Sequence, residues 1–268
     1  MKRLLLSLLT VCFMFCLVQP LFAADTVTCW FPPGWKIKAP QAQMITKTLS
    51  VESGLKIRPR IARNYPEIFT AFESNDMNIV YVGSFAQALI AARHLGTPLV
   101  QNVNGKEFYS GILITPKGVD PQMVLTQSPD KIAFAVGASS GESCAKAATQ
   151  GKAAIGVANH GAAVSAVKAG RAKAAFVKNW WWEARAKDYP EMSSYQIPGI
   201  SIVKNPDNVL TASKAVSPGM QQKIKAAAVA SSSAFGKGAN MQPFNASSLA
   251  FSLELMGKGK IDPLTYRW

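Results

Sequence analysis

Between residues 137 and 143 the sequence reads Gly-Ala-Ser-Ser-Gly-Glu-Ser, a run dense in glycine and hydroxyls. A strand-like stretch, Lys131 to Val136, precedes it, and a helical one, Gly141 to Thr149, follows. The first N–H groups of a helix have no acceptor within the helix, and its dipole favours negative charge at that end. Ser139, Ser140, Gly141 and Ser143 therefore admit two readings. One is an ordinary serine cap, which stabilises a helix by about 1 kcal/mol. The other is a site that holds an anion with uncharged donors. His160 divides the same way, between capping the next helix and touching a ligand. Tyr65, Tyr81 and Ser84 offer hydroxyls and Gln87 an amide, while Asn179 follows an apolar strand. Trp30, within Cys29-Trp30-Phe31, and the run Trp180-Trp181-Trp182 offer either core packing or an apolar wall for an organic ligand.

Catalytic chemistry finds little support. Cys144 and His160 could form a thiol–imidazole pair, but Cys144 falls inside the predicted helix and no third group orients the pair. The other histidine, His94, sits late in a predicted helix. No paired carboxylates, phosphate-binding loop or metal-type spacing occurs, and the chain has only 15 acids. The expectation is a binding protein with no catalytic residue, metal or cofactor. Cys29 and Cys144 cannot build a disulfide framework by themselves; they are read as two separate thiols, buried or lining a cleft, with a single disulfide between them as the alternative.

The elements that must position these residues begin after a leader. Lys2 and Arg3, an uncharged run from Leu4 to Val18, and Leu21-Phe22-Ala23-Ala24 follow the layout of a secretory signal peptide at residues 1–24, cleaved after Ala23 or Ala24. That run is shorter than the roughly 20 apolar residues of a spanning helix, and no later segment reaches that length. The expected destination is the periplasm. The formal charge of +14 includes Lys2 and Arg3, leaving +12 beyond the leader. Such a surface attracts anions in general. Its basic residues are scattered singly, however, and with export this argues against nucleic acid. Strand-like runs at 27–31, 55–62 and 78–82 alternate with helical ones at 40–53, 66–74 and 85–95. A second series places strands at 112–115, 131–136, 154–157 and 172–177, with helices at 141–149, 161–168 and 180–187. An extended stretch at 197–203, a strand at 209–213 and helices at 220–235 and 247–256 complete a layered α/β pattern.

Five stretches carry a resemblance across nearly all of this. They are Asn64-Tyr65-Pro66-Glu67, the segment Asn78 to Ser84, the segment Lys131 to Gly141, Asn159-His160-Gly161 with the runs to Val177, and Asp207 to Thr211 with Ser217-Pro218-Gly219. In this order they resemble the type 2 periplasmic binding proteins, specifically the phosphate/phosphite/phosphonate-binding branch associated with ABC transporters. The resemblance implies an α/β, two-lobed periplasmic-binding-protein fold (type 2, Venus-flytrap) with mixed sheets and two hinge crossings. Lobe 1 would hold residues 25–112 and 204–268 and lobe 2 residues 113–203, with crossings near Ile112–Lys117 and Ile197–Lys204. It also implies a monomer that captures a small anionic solute and delivers it to an ABC permease in the inner membrane. A sensor of the same fold that signals to a membrane kinase is the alternative. The ligand-binding residues would come from Ser139, Ser140, Gly141, Ser143, His160, Tyr65, Tyr81, Ser84, Trp30 and Asn179. Relatives that take aminoalkyl phosphonates hold the ammonium with acids. Here Lys173 stands before the apolar strand, Lys178-Asn179 after it, and Asn78 in lobe 1. A carboxylate clamp for an amine is therefore expected to be missing.

Overall fold

The computed structural model describes residues 26–267, so the leader and both expected cleavage positions lie outside the described residues. Among the described residues no helix is long and apolar enough to cross a membrane. The chain runs β1 (Thr26–Phe31), α1 (Ala39–Ser53), β2 (Lys56–Ile61), α2 (Tyr65–Glu73), β3 (Asn78–Val82), α3 (Ser84–Ala92) and β4 (Gly96–Asn102). Next, β5 (Phe108–Tyr109) leads to β6 (Gly111–Pro116), α4 (Pro121–Gln127), β7 (Ile132–Ala135), α5 (Cys144–Ala148) and β8 (Ile155–Val157). They are followed by α6 (His160–Lys168), β9 (Ala174–Lys178), α7 (Asn179–Glu183) and β10 (Met192–Tyr195). Finally β11 (Asn205–Pro206) leads back to β12 (Val209–Ser213), α8 (Pro218–Ala230), β13 (Met241–Pro243) and α9 (Ala250–Lys258).

Two mixed sheets result, in the orders β13-β4-β12-β3-β1-β2 and β10-β6-β9-β7-β8. In the first, β1 is parallel to β2 and β3, while β12 returns antiparallel to β3 and β4. In the second, β7 is parallel to β8 and β9, and β6 is antiparallel to β9 and β10. The central strand β3, Asn-Ile-Val-Tyr-Val, is buried throughout, as expected where helices cover both faces. Alternation then sorts its side chains. Cys29, Phe31, Ile79 and Tyr81 enter one core cluster with α1 and α8, whereas Trp30, Val80 and Val82 enter another with α2 and α3. Cys29 and Cys144 are buried free thiols in different clusters.

Three features depart from the sequence pattern. The strand β4 contains Pro98, which lacks a ladder donor and argues against a strand inside a sheet. It is accommodated by a register shift of β12 between Leu210 and Thr211, where the pairing skips from Val100 to Pro98. The crossings are displaced too. Ile112, Leu113 and Ile114 are buried in β6, inside the second sheet, and residues 197–203 form turns. The chain instead passes between the sheets through β5 and β11, which pair as a separate antiparallel ribbon. Lastly, α9 belongs to neither lobe alone: Phe251 and Leu255 pack into the second-sheet core, and Met256 into the first.

One buried amide joins β1, β3 and α2. Trp30 Nε1 donates to Asn78 Oδ1 at 2.8 Å, and Asn78 Nδ2 donates to the carbonyls of Ala71 and Asp76. Replacing Asn78 with Ala strands a buried indole N–H and unties β3 from α2. The expected cost is roughly 2–3 kcal/mol. In urea denaturation the midpoint should fall with the slope unchanged, and an unaltered midpoint would show that the amide is not a structural tie.

Candidate functional site

A cavity of about 230 Å³ lies between the lobes. Pro32 after β1, Gly83 after β3, Gly137 after β7 and Lys178 at the end of β9 all border it. Each sits at the C-terminal end of a strand, where open α/β sheets place their ligands. The first lobe adds Trp35 and Tyr65, the second adds Ser140 and His160, and the crossings bring Tyr109 and Asp207.

Local sequence explains how these groups are held. Asn64 caps α2 by accepting the Glu67 N–H at 3.0 Å, and the Glu67 carboxylate accepts the Arg63 N–H at 2.8 Å. This pair of caps fixes Tyr65 in the first helical turn. In the other lobe, a π-helical turn at Ser139–Ser143 runs directly into α5. Gly137, at φ +74°, lies so close to the Tyr65 ring that a Cβ would come within 2.4 Å of it. Gly141 packs the helix start onto β7, where a Cβ would come within 2.7 Å of the Ala135 carbonyl oxygen.

A buried carboxylate pins this loop. Glu142, 2% exposed, accepts the Gly137 N–H at 2.8 Å through Oε2. Its Oε1 meets Lys146 Nζ at 3.0 Å and accepts the Tyr266 hydroxyl. Tyr266 in turn lies edge-on to Phe85, and its carbonyl accepts from Arg93 Nη2 at 2.6 Å. The end of the chain thus ties the second-lobe loop to α3 of the first lobe.

The cavity's donors are mostly uncharged. Ser140 Oγ stands 3.4 Å from His160 Nε2, and His160 Nδ1 is buried without a partner. Burial, and secondarily the Lys178 charge, pushes the imidazole down to about 3, so it is neutral at pH 7 with a single N–H. Burial and then the Asp207 charge push the Tyr65 phenol up to about 12, and the same causes raise Tyr109 further. Both phenols therefore keep their protons. The charges in the wall are Lys38 on the exposed side and the pair Lys178–Asp207, 2.5 Å apart.

Of the residues singled out from the sequence, Tyr65, Ser140 and His160 face this cavity. Ser84 and Ser139 do not, because they are spent on each other. Ser84 Oγ donates to Ser139 Oγ at 2.8 Å and lies 2.9 Å from the Tyr109 hydroxyl, joining the lobes in a fully buried hydroxyl chain. Ser143 is buried as well, its Oγ unpartnered, and Gly141 serves packing. Trp30 and Tyr81 are turned into the core by strand alternation, Tyr81 against Phe31, Trp35 and Phe235. Asn179 Oδ1 accepts the Ser110 N–H at 3.0 Å, and Gln87 joins α3 to β12 through the Val209 carbonyl and the Thr211 hydroxyl. The tryptophans form a layer behind the wall: Trp180 against Tyr109, Trp181 against His160, Trp182 in the core. Cys144 is fully buried, its thiol pushed up to about 12 by burial, so no thiol–imidazole pair forms with His160.

The expectation of a missing carboxylate is corrected. Asn78 is a core residue and Lys173 is exposed, so neither position reports on the ligand. A carboxylate does stand in the wall, on Asp207. Sequence reasoning missed it, along with Trp35 and Tyr109; the available signal was one acid two residues before the buried strand Val209–Ser213.

Solved structures show the same fold. PhnD1 from Prochlorococcus marinus in complex with methylphosphonate aligns at TM-score 0.69 and 14% identity, covering 89% of this chain and 100% of that one. A binding protein component of an ABC phosphonate transporter from Pseudomonas aeruginosa aligns at 0.69 and 15%, covering 88% and 87%. A protein from Xanthomonas citri bound to ATP aligns at 0.69 and 10%, covering 88% and 97%. No curated relative matches the sequence. Residues 39–249 match the family described as ABC transporter, phosphonate, periplasmic substrate-binding protein. The chain therefore belongs to the phosphonate-type periplasmic substrate-binding proteins of ABC transporters, a family of carriers and not of enzymes.

Proposed function

We propose that this protein binds a small phosphonate or kindred oxyanion in the cavity between its lobes and presents it, as a monomer, to an ABC permease and not to a sensor kinase. The observation that carries this reading is the convergence of Ser140, His160, Tyr65 and the start of the Ser139–Ala148 helix on one small cavity. Hydroxyls, a neutral imidazole and the N–H groups of a helix start are the donors that suit a tetrahedral oxyanion. Methylphosphonate and ATP, bound by two proteins of the same fold, share that phosphorus-bound oxyanion. The β5–β11 ribbon is the hinge of this reading, with the first sheet in one lobe and the second in the other. Export to the periplasm, with the leader removed after Ala23 or Ala24, completes it.

Ligand binding raises stability by mass action, so melting temperatures with methylphosphonate, phosphite and phosphate test the proposal. At least one should raise the melting point at millimolar concentration; if none does, the assignment of this cavity is wrong. Ser140→Ala removes a donor to a charged ligand and should weaken that binding by about 1.5–3 kcal/mol, roughly ten- to a hundredfold. Ser139→Ala should leave the oxyanion contacts in place and act through the Ser84 link instead.

His160 gives the protein a pH signature. His160 titrates near 6.5 when unfolded but only near 3 when folded, so between these values the unfolded chain binds a proton that the native state refuses. Stability should fall as the pH drops from 6.5 toward 3 and stay level above 6.5 with respect to this group. Melts of His160→Gln should decline less steeply across that window than those of the native sequence. Parallel declines would mean that His160 is solvated and not held neutral in the wall.

A further inference from the structure

The ammonium set into the cavity wall belongs to the protein itself. Lys178 Nζ stands 2.5 Å from Asp207 Oδ2, 4.3 Å from the centre of the Tyr109 ring and 4.7 Å from that of Trp180. A carboxylate flanked by two aromatic faces is a surrounding that recognises an organic ammonium, since the rings' quadrupoles and the anion all attract the cation. The cage is also fixed. Tyr109 and Trp180 pack edge to face at 6.3 Å, and Asp207 is held by its own N–H on the Glu107 carbonyl and by Asn208 Nδ2 at 3.0 Å. Lys178 and Asp207 both border the cavity that holds Ser140 and His160.

Resting on the reading that this cavity takes a phosphonate, we propose that Lys178 is a specificity residue: its ammonium fills an organic-cation subsite made by Asp207, Tyr109 and Trp180, so the protein selects phosphonates that carry no amine. An aminoalkyl phosphonate brings a second ammonium to a carboxylate whose charge is already matched. Like charges a few ångströms apart in a partly buried site disfavour each other. A simple alkyl phosphonate brings no such charge and needs only the uncharged donors.

Calorimetric titration of the purified protein with methylphosphonate and with 2-aminoethylphosphonate tests this. The native sequence should bind methylphosphonate at least about tenfold more tightly, and Lys178→Met should reverse that preference by emptying the cage while Asp207 remains. Lys178→Gln, which keeps a hydrogen-bonding partner for Asp207, should shift the preference in the same direction by less. Equal affinity of the native protein for both ligands overturns the inference and leaves the proposed function standing. Binding of neither ligand overturns the inference, and the proposed function falls with it where phosphite and phosphate fail to bind as well. Folded variants that keep methylphosphonate and gain nothing for the amine also overturn it. So does a loss of methylphosphonate beyond about a hundredfold, which would place Lys178 on the oxyanion itself.

Discussion

The buried carboxylate of Glu142 is the constraint on which the cavity depends. A charge that is 2% exposed is tolerated only when its oxygens are matched, and this one meets the Gly137 N–H, the Lys146 ammonium and the Tyr266 hydroxyl. Each partner fixes something different. Gly137 sets the loop at the left-handed turn over which the Tyr65 ring lies. Lys146, one turn further along, locks the π-helical turn to α5. Tyr266 brings the end of the chain onto Phe85, whose backbone begins α3. Removing the carboxylate would therefore loosen the loop, the helix start and the interlobe tie together. That coupling accounts for an acid in the first turn of a helix that borders the cavity: its oxygens are engaged by Gly137, Lys146 and Tyr266.

The same economy governs charge around the cavity. An anion site built from free cations would bind many anions and hold its empty state under strong mutual repulsion. Here burial keeps His160 neutral and both Tyr65 and Tyr109 protonated, and the interior cation Lys178 is matched by Asp207. On the proposed function, the hold on the oxyanion itself then rests on geometry and on fixed dipoles. Such donors act strongly in a site of low dielectric and need no rearrangement when the ligand arrives. The large positive charge of the whole chain is a separate matter. It raises the local concentration of anions at long range and is screened by salt.

The elements were legible in the sequence because most obey simple periodicities. The bounds of β3 and β12 follow directly from short apolar runs, and α2 from Asn64, Pro66 and Glu67. Side-chain direction was harder. Both faces of the first sheet are buried, so no polar residues mark an outer face, and Trp30 and Tyr81 could be placed on either side. Ser139 and Ser140 are neighbours on a helix start, turned about 100° apart, and only the three-dimensional position of Ser84 decides which hydroxyl is consumed. Tyr109 and Asp207 come from opposite runs of the β5–β11 crossing. Their meeting with Lys178 is a property of topology, invisible to any local pattern. The error about the missing carboxylate had that origin, since Asn78 and Lys173 were judged by sequence position alone.

Contacts within the protein already join the lobes at or beside the cavity, among them Ser84 with Ser139, Tyr65 with Gly137, and Lys178 with Asp207. A ligand can shift a hinge equilibrium only by the contacts it makes in one arrangement and not the other. The ion pair is a weak candidate for that driving force. Its side chains retain 21% and 13% exposure, and the attraction gained on contact is largely offset by the hydration both groups give up. Its contribution is register, since a lysine that must reach both Asp207 and the two rings permits one relative placement of the lobes. The hydroxyl chain is similarly neutral in energy, because water can replace each of its bonds when the lobes part. On the proposed function, what water cannot replace is an oxyanion held at once by donors from both lobes, Tyr65 on one side and Ser140 with His160 on the other. The protein's own contacts would then specify where the lobes meet, and the ligand would supply the free energy that keeps them there.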